Sequence, residues 1–168
     1  VISELGAIPL MWKTGHSLIK NKMIESKSKI GGEMSGHIFF ADKYFGFDDG
    51  IYVSLRLIEL FSKSSELISE MISKIPSYVS TPEIRIDCTD DREKRFICDK
   101  AVHFFKNSYK CITIDGARIE FPNGWALVRS SNTQPVIVCR FEANSKKQLT
   151  FIQNIVFNKL KEFGNINV

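Results

Sequence analysis

Apolar residues fall into two regimes that change near the stretch Pro76 to Pro82, where serines and a threonine lie between prolines. Ahead of it the spacing is mostly helical. Leu18, Ile19, Met23 and Ile24, set among lysines and a glutamate, predict an amphipathic helix over 16–27. Ile51 to Phe61 is apolar on nearly all sides and predicts a helix buried in a layered α/β structure. Leu67, Ile68, Met71, Ile72 and Ile75 give a third helix one apolar face, and Pro76 ends it because proline cannot continue the hydrogen bonding. The short runs Ala7 to Trp12 and Ile38 to Phe40 read as strands.

Beyond the proline stretch the pattern turns strand-rich, with strands expected over 83–89, 111–121, 125–129 and 136–142. Two helices interrupt them. One runs from Asp91 to Lys106 with Ile97, Ala101, Phe104 and Phe105 on one face. The other starts at Ser145, where Gln148 completes a capping-box pattern, and buries Leu149, Ile152, Val156 and Leu160. The order βαβββα predicts a small antiparallel sheet covered on one side by two helices. The expected fold class is α/β plus α+β: a partial, mixed-sheet α/β domain over 1–78, then an antiparallel-sheet domain over 79–168.

A length of 168 residues with 43% apolar side chains suffices for one ordinary domain or two small ones. Net charge is +4, from 23 basic and 19 acidic residues without long blocks of either sign. That is too mild for nucleic acid or a membrane surface and suits an anionic small molecule. Cys88, Cys98, Cys111 and Cys139 are widely spaced with no Cys-x-x-Cys pair, which fits reduced thiols in a cytoplasmic protein. No apolar run reaches the roughly 18 residues of a membrane span, and no basic-then-apolar leader indicates secretion. The chain opens on Val1 instead of methionine, as a processed product or a piece of something longer would.

Four polar stretches are weighed for chemistry. Gly31-Gly32-Glu33-Met34-Ser35-Gly36-His37 reads as a sharp glycine-bounded loop ahead of a strand. On an extended backbone Glu33 and Ser35 would point the same way, a pairing suited to vicinal hydroxyls. The plain alternative is that Glu33 and His37 are an exposed turn acid and a surface or half-buried histidine. His16 follows the turn Lys13-Thr14-Gly15 at the start of a helix and is a ligand contact or a structural, helix-capping residue. Asp48 and Asp49 precede a helix and read as capping groups, since two adjacent carboxylates make a poor cation site. Between two strands, Arg129-Ser130-Ser131-Asn132-Thr133-Gln134-Pro135 gathers a planar guanidinium with hydroxyl and amide donors, a phosphate-binding composition as well as an ordinary polar turn.

Lys13-Thr14-Gly15-His16, Gly32-Glu33-Met34-Ser35-Gly36-His37, Phe45-Gly46-Phe47-Asp48-Asp49-Gly50 and Arg129-Ser130-Ser131-Asn132-Thr133 together resemble the last two domains of the α-D-phosphohexomutases. The likeness covers nearly the whole chain. Met34 and the asparagine of the second loop bring it nearest the bacterial phosphomannomutase/phosphoglucomutase branch. The resemblance implies that Glu33 and Ser35 read sugar hydroxyls. It also implies that His37 and His16 are active-site histidines assisting proton transfer or contacting substrate. Arg129, Ser131, Asn132 and Thr133 would form a phosphate clamp. For the second domain it implies a TATA-box-binding-protein-like fold.

In that family a phosphorylated serine donates to a hexose phosphate and a bisphosphate intermediate reorients. A fixed clamp on the non-reacting phosphate serves both orientations. The phosphoserine loop Thr-Ala-Ser-His-Asn-Pro and the magnesium loop Asp-Gly-Asp-Gly-Asp-Arg are absent from these 168 residues. The expectation is therefore a carboxy-terminal part holding no metal or cofactor of its own, inactive without the amino-terminal domains. Mg2+ and a hexose 1,6-bisphosphate activator are implied for the complete enzyme. Mannose or glucose 1- or 6-phosphate is the expected ligand. The rival expectation is a non-enzymatic module that binds phosphosugars or a partner chain.

Overall fold

Residues 1–166 are described by a computed structural model. Their contacts divide into a unit Val1–Pro76 and a second unit beginning at Ser77.

The first unit is built on α1 (His16–Ser26), a hairpin of β1 (Ile30–Gly32) and β2 (Ile38–Phe40), α2 (Gly50–Ser62) and the short α3 (Ile68–Ser73). The hairpin strands pair antiparallel, Ile30 opposite Phe40 and Gly32 opposite Ile38. Helix α1 lies against β1 through its buried Met23. Gly31 permits the approach: a Cβ there would sit 2.7 Å from the Met23 sulfur and 3.1 Å from Ile19 Cγ2. Phe39, fully buried, anchors the second strand.

Two expectations for this unit do not hold. Residues 7–12 form no strand, and Ile8, Leu10, Met11 and Trp12 stand exposed. Helix α2 forms where predicted, but none of its residues is buried, and Ile51, Leu55 and Ile58 are open to solvent. The physical reason is shared. A strand needs a hydrogen-bonded neighbour and an all-round apolar helix needs covering layers, and among the described residues neither is supplied. Pro9 further removes a donor from the first run. The third helix is shorter than the expected 65–75.

The second unit holds β3 (Val79–Ser80), β4 (Ile84–Asp87), α4 (Asp91–Ser108), β5 (Cys111–Ile112), β6 (Ala117–Phe121), β7 (Gly124–Ser130), β8 (Val136–Ala143) and α5 (Lys146–Phe163). Its sheet is antiparallel in the order β3-β8-β7-β6-β5, with β4 beside the other half of the same edge of β8. The stretch expected as a linker thus contributes β3 to the sheet. The strand expected over 111–121 is a hairpin, because it turns at Asp115-Gly116, where Gly116 takes φ +76°.

Both helices pack on one sheet face. Alternate residues Ala117, Ile119, Ala126, Val128, Ile137, Cys139, Phe141 and Ala143 meet Ile97, Ala101 and Phe105 of α4 and Leu149, Ile152, Val156 and Leu160 of α5. Each large side chain fully buried here contributes about 1.5–3 kcal/mol. Asp90 caps α4 by accepting from Arg92 and Glu93 N–H, and Ser145 caps α5 by accepting from Gln148 N–H.

All four cysteines are free thiols; Cys98 and Cys139 lie in this core and Cys88 and Cys111 are half-buried. Burial pushes the Cys98 thiol up to about 12 and the Cys139 thiol higher than the ordinary range as well. At pH 8 neither should react with an aromatic disulfide reagent until denaturant is added, which peptide mass mapping of labelled protein would check. Prompt labelling of either in native buffer would contradict this core.

Candidate functional site

In the first unit the hairpin tip, the start of α1 and the segment before α2 converge. Glu33 and His37 face each other across the hairpin, Glu33 N–H donating to the His37 carbonyl at 2.8 Å. The turn between them closes when Gly36 N–H donates to the Glu33 carbonyl at 3.0 Å, with Gly36 at φ +95°, a conformation that favours glycine. Because the turn is tight and not extended, alternation does not align Glu33 with Ser35. Ser35 sits on the exposed tip, whereas the Glu33 side chain is only 10% exposed.

Asp48 reaches this cluster through an isolated antiparallel bridge with Phe39. Its Oδ2 lies 2.7 Å from His37 Nδ1 and 3.5 Å from His16 Nε2. The imidazoles of His16 and His37 meet edge to face at 4.5 Å, and His16 also abuts Phe39. Glu33 Oε1 is 3.8 Å from His16 Nε2 and is buried without a hydrogen-bond partner. His16 is therefore not a capping residue; Gly15 occupies the N-cap of α1.

The capping role splits the two aspartates. Asp49 caps α2 by accepting from Ile51 and Tyr52 N–H at 3.0 Å each, and also accepts from Tyr44 O–H at 2.7 Å. Asp48 does no capping and belongs to the histidines, a role missed by a reading that gave both the same task. Its signal was present, since a helix has one N-cap. The supporting loop is tied down by Arg56, whose guanidinium forks onto Asp42 at 2.7 and 2.9 Å and stacks over Phe40. That bond holds the Asp42 carboxyl down at about 2.

An ionised carboxylate only accepts, so Asp48 fixes the proton of His37 on Nδ1 and leaves Nε2 able to accept. The arrangement is an oriented proton acceptor beside a buried carboxylate oxygen. One ligand atom each of His16, His37 and Asp48 also lies within 4.8 Å of the others. Two imidazoles suit a borderline transition ion; Mg2+ demands an octahedron of oxygens, which this set does not offer.

In the second unit the loop 131–135 joins β7 to β8. Arg129 projects from the sheet face opposite the helices, paired across the ladder with Val138. Its guanidinium makes one long bond, 3.4 Å to the Ser130 carbonyl, and its other N–H groups find no protein acceptor among the described residues. Asn132 and Thr133 are exposed. Ser131 is buried, its Oγ accepting from Thr133 N–H at 3.3 Å and so shaping the turn from within. Lys94, buried on α4, donates from Nζ to the carbonyls of Ser131 and Gln134, each at 2.9 Å. It continues the helical stripe of Ile97, Cys98, Ala101 and Phe105, and a lysine at that spacing was the legible sign.

The family model described as "Phosphoglucomutase/phosphomannomutase, alpha/beta/alpha domain III" matches residues 1–78, and that described as the C-terminal domain of the same group matches 83–159. The chain belongs to the phosphoglucomutase/phosphomannomutase family. It is 46% identical over 161 residues to the phosphomannomutase/phosphoglucomutase of Pseudomonas aeruginosa, covering 96% of this chain and 35% of that protein. With a phosphoglucomutase of Neisseria meningitidis serogroup A it shares 44% over 155 residues, 91% of this chain and 34% of the relative. With a phosphoglucosamine mutase of Methanocaldococcus jannaschii it shares 35% over 149 residues, 87% of this chain and 32% of the relative. A crystal structure of a phosphoglucomutase/phosphomannomutase family protein from Burkholderia thailandensis superposes with a TM-score of 0.85 at 43% identity, covering 96% of this chain and 34% of that one. The chain thus spans about a third of the length of these phosphoglucomutase/phosphomannomutase relatives and corresponds to their carboxy-terminal part. Among its described residues no helix is long and apolar enough to cross a membrane.

Proposed function

We propose that this chain is the substrate-recognition portion of a phosphomannomutase/phosphoglucomutase that interconverts hexose 1-phosphate and hexose 6-phosphate. Glu33 and Ser35 read ring hydroxyls, His37 and His16 serve the reacting end, and Arg129, Ser131, Asn132 and Thr133 hold the phosphate that is not reacting. The observation that carries the reading is Glu33 Oε1, buried and without a hydrogen-bond partner beside two histidines. A buried acceptor left unpaired costs about 1–3 kcal/mol, and a sugar hydroxyl is a donor of the right kind. The uncommitted fork of Arg129 supports the phosphate half of the reading.

Mg2+ and a hexose 1,6-bisphosphate belong to the complete enzyme in this proposal, and no residue here is assigned to them. The setting is cytoplasmic, where thiols such as Cys98 and Cys139 stay reduced. Alone, the chain is expected to turn over no substrate. Mixed with a separately made amino-terminal portion of the same enzyme, it should convert mannose 1-phosphate to mannose 6-phosphate in a coupled assay. Persistent inactivity with both pieces folded would reject the enzyme reading in favour of a phosphosugar- or partner-binding module.

A further inference from the structure

Lys94 is the buried cation of the second unit, with its side chain 5% exposed. Desolvating an ammonium is costly unless its hydrogen bonds are replaced, and a leucine or methionine would continue the stripe without that cost. Here the Ser131 and Gln134 carbonyls accept two of its N–H groups, and the Asp91 carboxylate stands 2.7 Å away as an ion-pair partner.

Both carbonyls lie in the loop beyond Arg129, so Lys94 draws it together from the helix side. Arg85 of β4 reaches the Gln134 side chain as a further tie. The consequence lies in peptide geometry. A trans peptide sets its C=O and N–H in opposite directions, and no cis bond occurs here. With the Ser131 carbonyl turned inward to Lys94, the N–H of Asn132 is turned outward. That N–H has no protein acceptor among the described residues, and Asn132 is exposed.

We infer that Lys94 is a positioning residue for the Arg129–Gln134 loop, holding the Ser131 peptide so that the Asn132 N–H stands outward as a backbone donor to a phosphate oxygen. The inference rests on the phosphate reading of this loop. A backbone donor fixed in this way adds a directed hydrogen bond to the charge of Arg129 and carries no side-chain entropy cost.

The test is an NMR titration of the whole 15N-labelled chain with glucose 6-phosphate, following Arg129 Nε and the Asn132 amide. In the unsubstituted chain both should shift with one common dissociation constant. Lys94→Met fills a similar volume and donates nothing. With the sheet amides unchanged, it should raise that constant about tenfold and abolish the Asn132 shift while Arg129 still responds. Movement of Arg129 without Asn132 in the unsubstituted chain would overturn the inference and leave the phosphate site standing. If neither moves, the phosphate reading of the loop itself fails. Unaltered binding and an unaltered Asn132 shift in Lys94→Met would reduce the lysine to a structural group. Should Lys94→Met not fold, the titration of the unsubstituted chain still tests the Asn132 contact on which the inference depends, and its absence would overturn it.

Discussion

Replacing His37 by alanine is expected to lower turnover of the enzyme reconstituted with its amino-terminal portion by roughly 10²- to 10⁴-fold, the usual worth of a positioned proton-transfer group. The argument starts from Asp48, which lies 2.7 Å from His37 Nδ1 and, as an acceptor, fixes which ring nitrogen holds the proton. Nε2 is thereby left to accept from a substrate hydroxyl. The loss should appear in kcat with KM little changed, because truncating the ring leaves Glu33 and the phosphate loop in place. Asp48→Asn separates orientation from mere presence: an amide can donate to Nδ1 and favour the opposite tautomer, so turnover should fall although the ring remains. A loss below about fivefold in His37→Ala, measured at saturating hexose phosphate, would demote the imidazole to a structural neighbour of His16.

How much of this site was legible in the sequence depended on whether its partners were local. Helix α5 was read with its buried face intact, since Leu149, Ile152, Val156 and Leu160 repeat with the helical period and all four are buried. Helix α2 shows the limit of the same rule. Its apolar pattern states what asks for cover, and Ile51 and Leu55 remain exposed because cover cannot be inferred from the helix itself. The strand expected over 7–12 fails for the same reason, as β structure exists only in pairs.

Asp48 was misread because capping is a rule about nearest neighbours, whereas its true partners arrive through a bridge to Phe39 and through the start of α1. The Glu33–Ser35 alignment presupposed extended backbone, and Gly36 instead closes a turn. The role of Lys94 is not legible from apolar spacing, because its carbonyl partners lie 37 and 40 positions away. Sequence periodicity thus locates faces, and the chemistry that crosses between faces depends on pairings it does not encode.

Arg129→Ala should weaken binding of a hexose phosphate to the chain by about 1.5–3 kcal/mol, the range for a hydrogen bond to a charged group, or roughly 10- to 150-fold in dissociation constant. The substitution is a clean probe. Arg129 stands on the face of β7 opposite the helices, beside Val138, and its guanidinium makes a single long bond to the Ser130 carbonyl, so its removal deletes one weak hydrogen bond. Core residues Ala126 and Val128 on the opposite face are untouched. Isothermal calorimetry with glucose 6-phosphate and with glucose would separate the two halves of the ligand. The phosphorylated sugar should lose affinity in the variant, and the weak signal of the free sugar should not change. Arg129→Lys should fall between, because an ammonium keeps the charge but not the planar fork that grips two oxygens at once. Raising the salt concentration should narrow the gap between wild type and variant, since a half-exposed guanidinium is screened. Equal affinity in Arg129→Ala at low salt would place the phosphate elsewhere, and the uncommitted guanidinium would then need another anion to explain it.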